Sequence, residues 1–86
     1  MNRSFESNLL NPLVTSLSFD RSGNALVAGS SDSLVSIFDT IQGRRLRDIN
    51  CHKSLVTDVA WNRAACTPYM IATGSLDKTI ILHDIR

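Results

Sequence analysis

The strongest constraint on this chain is that it repeats itself. Leu13-Val14-Thr15-Ser16-Leu17-Ser18-Phe19 lies over Leu55-Val56-Thr57-Asp58-Val59-Ala60-Trp61 at a separation of 42 positions. Further along, Ala28-Gly29-Ser30-Ser31-Asp32 lies over Thr73-Gly74-Ser75-Leu76-Asp77, and Ile37-Phe38-Asp39 over Leu82-His83-Asp84, both at a separation of 45. The three additional residues belong to the turn from Asn62 to Pro68. Within each copy the apolar residues alternate, Leu17 with Phe19 and Val59 with Trp61, which is the period of a strand with one buried face. Turn-forming runs separate these segments: Asp20-Arg21-Ser22-Gly23-Asn24, Gly29-Ser30-Ser31-Asp32-Ser33 and Thr40-Ile41-Gln42-Gly43. The pattern predicts strands over 14–19, 25–29, 34–38, 45–49, 56–61, 69–74 and 79–83, and no helix.

A strand-built period of this length is that of one blade of a β-propeller. The expected fold is therefore all-β: two antiparallel four-stranded blades, a partial propeller, with the second blade lacking its own outer strand. Residues 1–12 form an N-terminal extension, 13–50 the first repeat and 51–86 the second. A chain of 86 residues buries only about 60% of its unfolded surface and builds one small core. Propellers close with four to eight blades, so two blades are expected to complete a ring with further blades of a longer chain or by homo-oligomerisation. In the second case Arg3-Ser4-Phe5-Glu6-Ser7 is a candidate outer strand exchanged onto the Thr79–His83 strand of another copy.

Charge narrows the function. Nine Lys and Arg against eight Asp and Glu give a net charge of +1, too little for a field that selects nucleic acid or an anionic membrane. The basic run Arg44, Arg45 and Arg47 is the one candidate nucleic-acid edge. With Arg45 and Arg47 expected on one side of a strand, Asp48 adjacent and no interleaved aromatic, it reads as a solvated edge that discourages aggregation. No eighteen-residue apolar run and no export signal occur, so a soluble protein of the cytoplasm or nucleus is expected. Cys51 and Cys66 have neither the spacing of a zinc site nor that of a disulfide framework, so no metal is expected. The four glycines are isolated turn residues, and no phosphate loop, cofactor or small-molecule substrate is indicated. His52 and His83 are the only bases in the usual range, and no nucleophile is paired with either, so no enzymatic activity is expected.

The stretch Cys51-His52-Lys53-Ser54-Leu55-Val56-Thr57-Asp58-Val59-Ala60-Trp61, followed by Ile71-Ala72-Thr73-Gly74-Ser75-Leu76-Asp77-Lys78-Thr79-Ile80-Ile81-Leu82-His83-Asp84, resembles a WD repeat. The resemblance covers residues 13–86 as two consecutive repeats. The Gly-His dipeptide of that family is Cys51-His52 in the second repeat and Leu9-Leu10 in the first. The Trp-Asp ending is Phe38-Asp39 and His83-Asp84.

In WD repeats a His, a turn Asp, a strand Ser or Thr and the Trp form a buried hydrogen-bonded chain. The resemblance assigns three of these roles to His52, Asp77 and either Thr73 or Ser75, with His83 standing where the family has Trp. The first repeat, with Leu10 in place of His, is expected to lack the chain. Phe19 and Trp61, at equivalent positions, are expected in the core between blades. The resemblance also implies a protein-interaction scaffold with protein partners. Lys53 and Lys78 flank two leucines, Leu55 and Leu76, on one rim, a set that suits an apolar anchor with an acidic surround. Asp84-Ile85-Arg86 is similar to the end of the box in WD-repeat substrate receptors of cullin-type ubiquitin ligases, where the Asp and Arg dock an adaptor. A similar ending occurs in activators of the anaphase-promoting complex and in spindle-associated WD proteins.

Overall fold

The computed structural model describes residues 13–64, 66 and 69–85, and among them there is no helix. Seven strands follow one another: β1 (Val14–Phe19), β2 (Ala25–Ser30), β3 (Val35–Asp39), β4 (Arg44–Ile49), β5 (Val56–Trp61), β6 (Met70–Ser75) and β7 (Ile80–Asp84). They form two antiparallel sheets, one in the order β1-β2-β3-β4 and one in the order β5-β6-β7. The boundaries lie within one residue of those expected from alternation, because each strand is bracketed by residues that favour turns. The exchanged outer strand expected at residues 3–7 lies outside the described residues.

Local irregularities repeat along with the sequence. The β1–β2 ladder slips between Val14 and Ser16, and the β5–β6 ladder slips between Val56 and Asp58, so Thr15 and Thr57 occupy equivalent bulges. In the tight turns that follow β2 and β6, Ser33 and Lys78 take left-handed φ values of 70° and 71°. Side-chain caps hold both turns: Leu34 N–H donates to Asp32 Oδ1 at 3.2 Å and Thr79 N–H to Asp77 Oδ1 at 2.9 Å. Such Asx caps supply the backbone partner that a reversing chain loses.

The main core lies between the sheets. Val27, Val35 and Ile37 of the first pack with Val56, Val59, Trp61 and Ile71 of the second, all buried. Polar bonds cross the same interface: Thr15 Oγ1–H donates to the Val56 carbonyl, and Trp61 N–H donates to Ser18 Oγ at 3.0 Å. A smaller apolar cluster, Leu26, Ala28 and Phe38, sits on the opposite face of the first blade.

Two expectations need correction. Phe19 is 48% exposed although its equivalent Trp61 is only 7% exposed. The first sheet turns its Phe19 face away from the second sheet, whereas Trp61 points into the joint. Arg45 and Arg47 also do not share a side. The β3–β4 ladder slips between Ile37 and Phe38, leaving Leu46 as an extra residue, so Arg45 pairs with Phe38 and Arg47 with Ile37 on opposite faces.

Candidate functional site

The second blade carries a polar chain through its interior. His52, buried in the segment leading into β5, approaches Asp77 Oδ2 through Nδ1 at 3.2 Å and Thr73 Oγ1 through Nε2 at 2.7 Å. Thr73, in the middle of β6 and also buried, approaches His83 Nε2 of β7 at 3.2 Å. The order is therefore Asp77, His52, Thr73, His83. Asp77 can only accept, so His52 Nδ1–H donates to it and His52 Nε2 is left as an acceptor. Thr73 must then donate to His52, and its oxygen accepts from His83 Nε2–H. His83 thus takes the donor role that an indole N–H would fill, and Cys51 Sγ lies 3.5 Å from the same nitrogen.

Of the two alternatives for the strand hydroxyl, Thr73 sits in the chain and Ser75 does not. Ser75 Oγ–H donates instead to the carbonyls of Ser54 at 3.1 Å and Leu55 at 2.8 Å, and its oxygen accepts from Asp77 N–H at 3.1 Å. In the first blade Leu26, Ala28 and Phe38 occupy the places of Ile71, Thr73 and His83. An apolar cluster there stands in for the polar chain, with Arg45 5.5 Å above the Phe38 ring.

Burial and hydrogen bonding set the acidities. The Thr79 hydroxyl, the Lys53 N–H, the Thr79 N–H and His52 all stabilise the Asp77 carboxylate and hold it well below the usual carboxylate range. Burial pushes His83 below the ordinary histidine value, and the nearby His52 adds to the effect. Burial raises the Cys51 thiol, which favours the neutral form rather than a reactive thiolate.

Asp77 also organises the rim. Its Oδ2 accepts from Lys53 N–H at 2.9 Å as well as from His52, and Leu76 N–H donates to the Leu55 carbonyl at 3.0 Å. The loop before β5 and the turn after β6 are therefore strapped to one carboxylate. Lys53, Leu76 and Lys78 are exposed on this rim. Leu55 is half-buried, so of the two leucines Leu76 is the exposed one; Ser75 and Leu76 both bind the Leu55 carbonyl and draw the loop inward.

Asp84 is exposed at the far end of β7, opposite Met70, and so lies at the other end of the blade from this rim. Arg86 lies outside the described residues. Arg45, of the candidate basic edge, is engaged by Asp48 at 3.2 Å. Among the described residues no group of three or more His, Cys, Asp and Glu could hold a metal ion. Sequence reasoning did not reach Thr79, Cys51 or Ser75 in their observed roles. The Asp-x-Thr spacing of the turn was the available signal for Thr79.

Comparison with known proteins places these features in context. Residues 4–64 match the family model described as the anaphase-promoting complex subunit 4 WD40 domain. The chain is 29% identical over 84 residues, 98% of its length, to anaphase-promoting complex subunit cdc20 of Dictyostelium discoideum. It is 33% identical over 66 residues, 77% of its length, to anaphase-promoting complex subunit cdh1 of the same organism. It spans only 16% of the first relative and 8% of the second. Among solved structures, a chain in the mitotic checkpoint complex superimposes with a TM-score of 0.77 at 29% identity, covering 87% of this chain and 22% of that one. The computationally designed Ika4 protein superimposes with a TM-score of 0.71 at 27% identity, covering 85% of this chain and 41% of that one.

Proposed function

Because the chain belongs to the WD40-repeat family, we propose that it is a non-catalytic protein-interaction scaffold whose rim, formed by Lys53, Leu55, Leu76 and Lys78, receives a partner segment with an apolar anchor and acidic neighbours. The observation that carries this reading is the double use of Asp77, which fixes Lys53 through its N–H and is itself fixed by buried His52. A rim held in place before binding loses little entropy on association. Two exposed lysines beside an exposed leucine favour an acidic partner with an aliphatic or aromatic anchor.

Relatives described as anaphase-promoting complex subunits, and the similar chain in a mitotic checkpoint complex, support a cell-cycle setting in the cytoplasm or nucleus. The test is co-purification of anaphase-promoting complex subunits with the tagged chain, carrying either the native rim or Leu76→Ala with Lys78→Glu. Loss of capture in the double variant supports the rim, and unchanged capture rejects it. Asp84→Ala and Arg86→Ala in the same experiment test whether the far end of the blade instead docks a ligase adaptor. The nucleic-acid alternative at Arg44, Arg45 and Arg47 finds less support, since Arg45 is held by Asp48 and by the Phe38 ring. Its test is whether affinity for an oligonucleotide appears at low salt and falls steeply with added salt.

A further inference from the structure

The polar chain of the second blade differs in one respect from a chain that ends on an indole: its last member can accept as well as donate. An indole N–H only donates, whereas a neutral imidazole carries one donor and one acceptor nitrogen. With Asp77 accepting from His52, every bond of the chain points toward the carboxylate. His83 Nε2–H donates to Thr73 Oγ1 at 3.2 Å, Thr73 Oγ1–H to His52 Nε2 at 2.7 Å, and His52 Nδ1–H to Asp77 Oδ2 at 3.2 Å. The same heavy atoms at the same distances also support the opposite polarity in the first two of these bonds.

We infer that the chain is a pH-sensitive relay that takes up one proton at His83 and delivers its charge to His52. The proton enters on Nδ1 of His83, which is half-buried where His52 is buried. His83 Nε2 then gives its own proton to Thr73 Oγ1, and Thr73 gives its hydroxyl proton to His52 Nε2. One proton has entered, His83 is again neutral with its hydrogen on Nδ1, and His52 is an imidazolium. All three contacts remain hydrogen bonds: His52 Nε2–H donates to Thr73, Thr73 donates to His83 Nε2, and His52 Nδ1–H still donates to Asp77. With an indole in place of His83 the second polarity is closed, because two donors would then meet.

The surroundings decide on which ring the charge rests. His52 is in contact with the Asp77 carboxylate, which the Thr79 hydroxyl and the Lys53 N–H keep ionised, so a cation there gains an ion pair and a charge-assisted hydrogen bond. His83 has no such partner. Cys51, on the segment before β5, faces it as a neutral thiol, and the charged groups of the first blade that line the gap toward the second are Asp20 and Arg47. Asp84 of β7 and Asp58 of β5 alternate with His83 and Val59 and so belong to the opposite face of the blade. Burial and the nearness of His52 both disfavour a cation on His83. Cys51 Sγ is also within reach of the Thr73 hydroxyl, but sulfur is a weak acceptor and the imidazole nitrogen a better one. The relay involves no partner, so it stands or falls independently of the reading of the rim.

The test is nitrogen NMR of the histidine rings in the folded chain, titrated from pH 7.5 downward until it unfolds, since the ring-nitrogen shifts separate the Nδ1–H, Nε2–H and imidazolium forms. At pH 7.5 His52 is expected in the Nδ1–H form and His83 in the Nε2–H form. As the folded chain takes up its proton, His52 is expected to become the imidazolium and His83 to stay neutral while its hydrogen moves to Nδ1. His83→Trp is expected to hold His52 neutral at the pH where the native chain carries the charge, with the amide signals of β6 reporting an intact fold. An imidazolium at His83 beside a neutral His52 overturns the proposal. So does a His83 that keeps its Nε2–H form while His52 charges, a folded chain that takes up no proton before it unfolds, or a His52 that charges equally in folded His83→Trp. The native chain alone supplies the first three of these outcomes, so the proposal is decided even where His83→Trp fails to fold.

Discussion

His83 Nε2 stands 3.2 Å from Thr73 Oγ1, so a histidine of β7 donates to the same hydroxyl that donates to His52. The polar chain of the second blade thus has a titratable group at each of its two histidine positions, whereas the first blade fills the equivalent space with Leu26, Ala28 and Phe38. That contrast within one molecule makes the energetics of the chain testable.

Removing the middle hydroxyl leaves both neighbours short of a partner. Thr73→Val keeps the volume but strands buried His52 Nε2, and an unpaired buried polar group costs about 1–3 kcal/mol. Urea unfolding at neutral pH is expected to show a midpoint lowered by that amount at unchanged slope. The combined change His52→Leu, Thr73→Ala and His83→Phe imitates the first blade and is expected to recover most of the loss, because three members become apolar together and Asp77 keeps the N–H groups of Lys53 and Thr79.

Acid is expected to weaken the fold in two stages. Burial holds His83 below the ordinary histidine value, so the unfolded chain takes up that proton first, and stability falls as pH drops below about 6.5 toward the folded value. Asp77 is held far below its ordinary range, so its contribution is present above about pH 4 and is lost as pH falls further. His83→Phe removes the first stage and leaves the second. Comparing urea midpoints at pH 7.5, 5.5 and 3.5 separates them: the variant is expected to lose less than the native chain between the first two and a similar amount between the last two.

Two glycines at equivalent positions are expected to respond in opposite ways. Gly29→Ala drives a methyl to within 2.5 Å of Val56 Cγ1 and is expected to cost about 1–3 kcal/mol, the usual price of overpacking. Gly74→Ala meets only Thr57 Oγ1 at 3.8 Å and is expected to be neutral or slightly stabilising. Thermal unfolding of the pair under identical conditions gives the comparison directly.

The polar bond across the blades has its own measurable share. Trp61 N–H donates to Ser18 Oγ at 3.0 Å beside a buried ring, and Ser18→Ala removes that bond. A loss of about 1 kcal/mol is expected. Hydrogen exchange at the Trp61 amide is expected to accelerate more than exchange elsewhere in β5, which separates a local loss from general destabilisation.

Much of the fold was legible because its signals are local. The separations of 42 and 45 positions, the period-two alternation and the turn residues around Asp32 and Asp77 together specify seven strands in two sheets. The polar chain was legible only in part: His52 and Asp77 were identifiable by position, but Thr73 and Ser75 carry similar hydroxyls two residues apart. Two positions apart on β6 they share a face, and only the partners within reach separate them, His52 for one and the carbonyls of Ser54 and Leu55 for the other.

The sequence by itself determined the repeat, the strands and the paired turns, since backbone preferences and alternation act over a few residues. The tertiary structure decided which faces became core and where side chains point. Phe19 and Trp61 are equivalent in sequence, yet one is half-exposed and the other buried, because burial depends on which sheet stacks against that face. A one-residue slip at Leu46 sends Arg45 and Arg47 to opposite sides, and no pattern of residue types along β4 announces it, because a bulge is a property of the ladder between two strands.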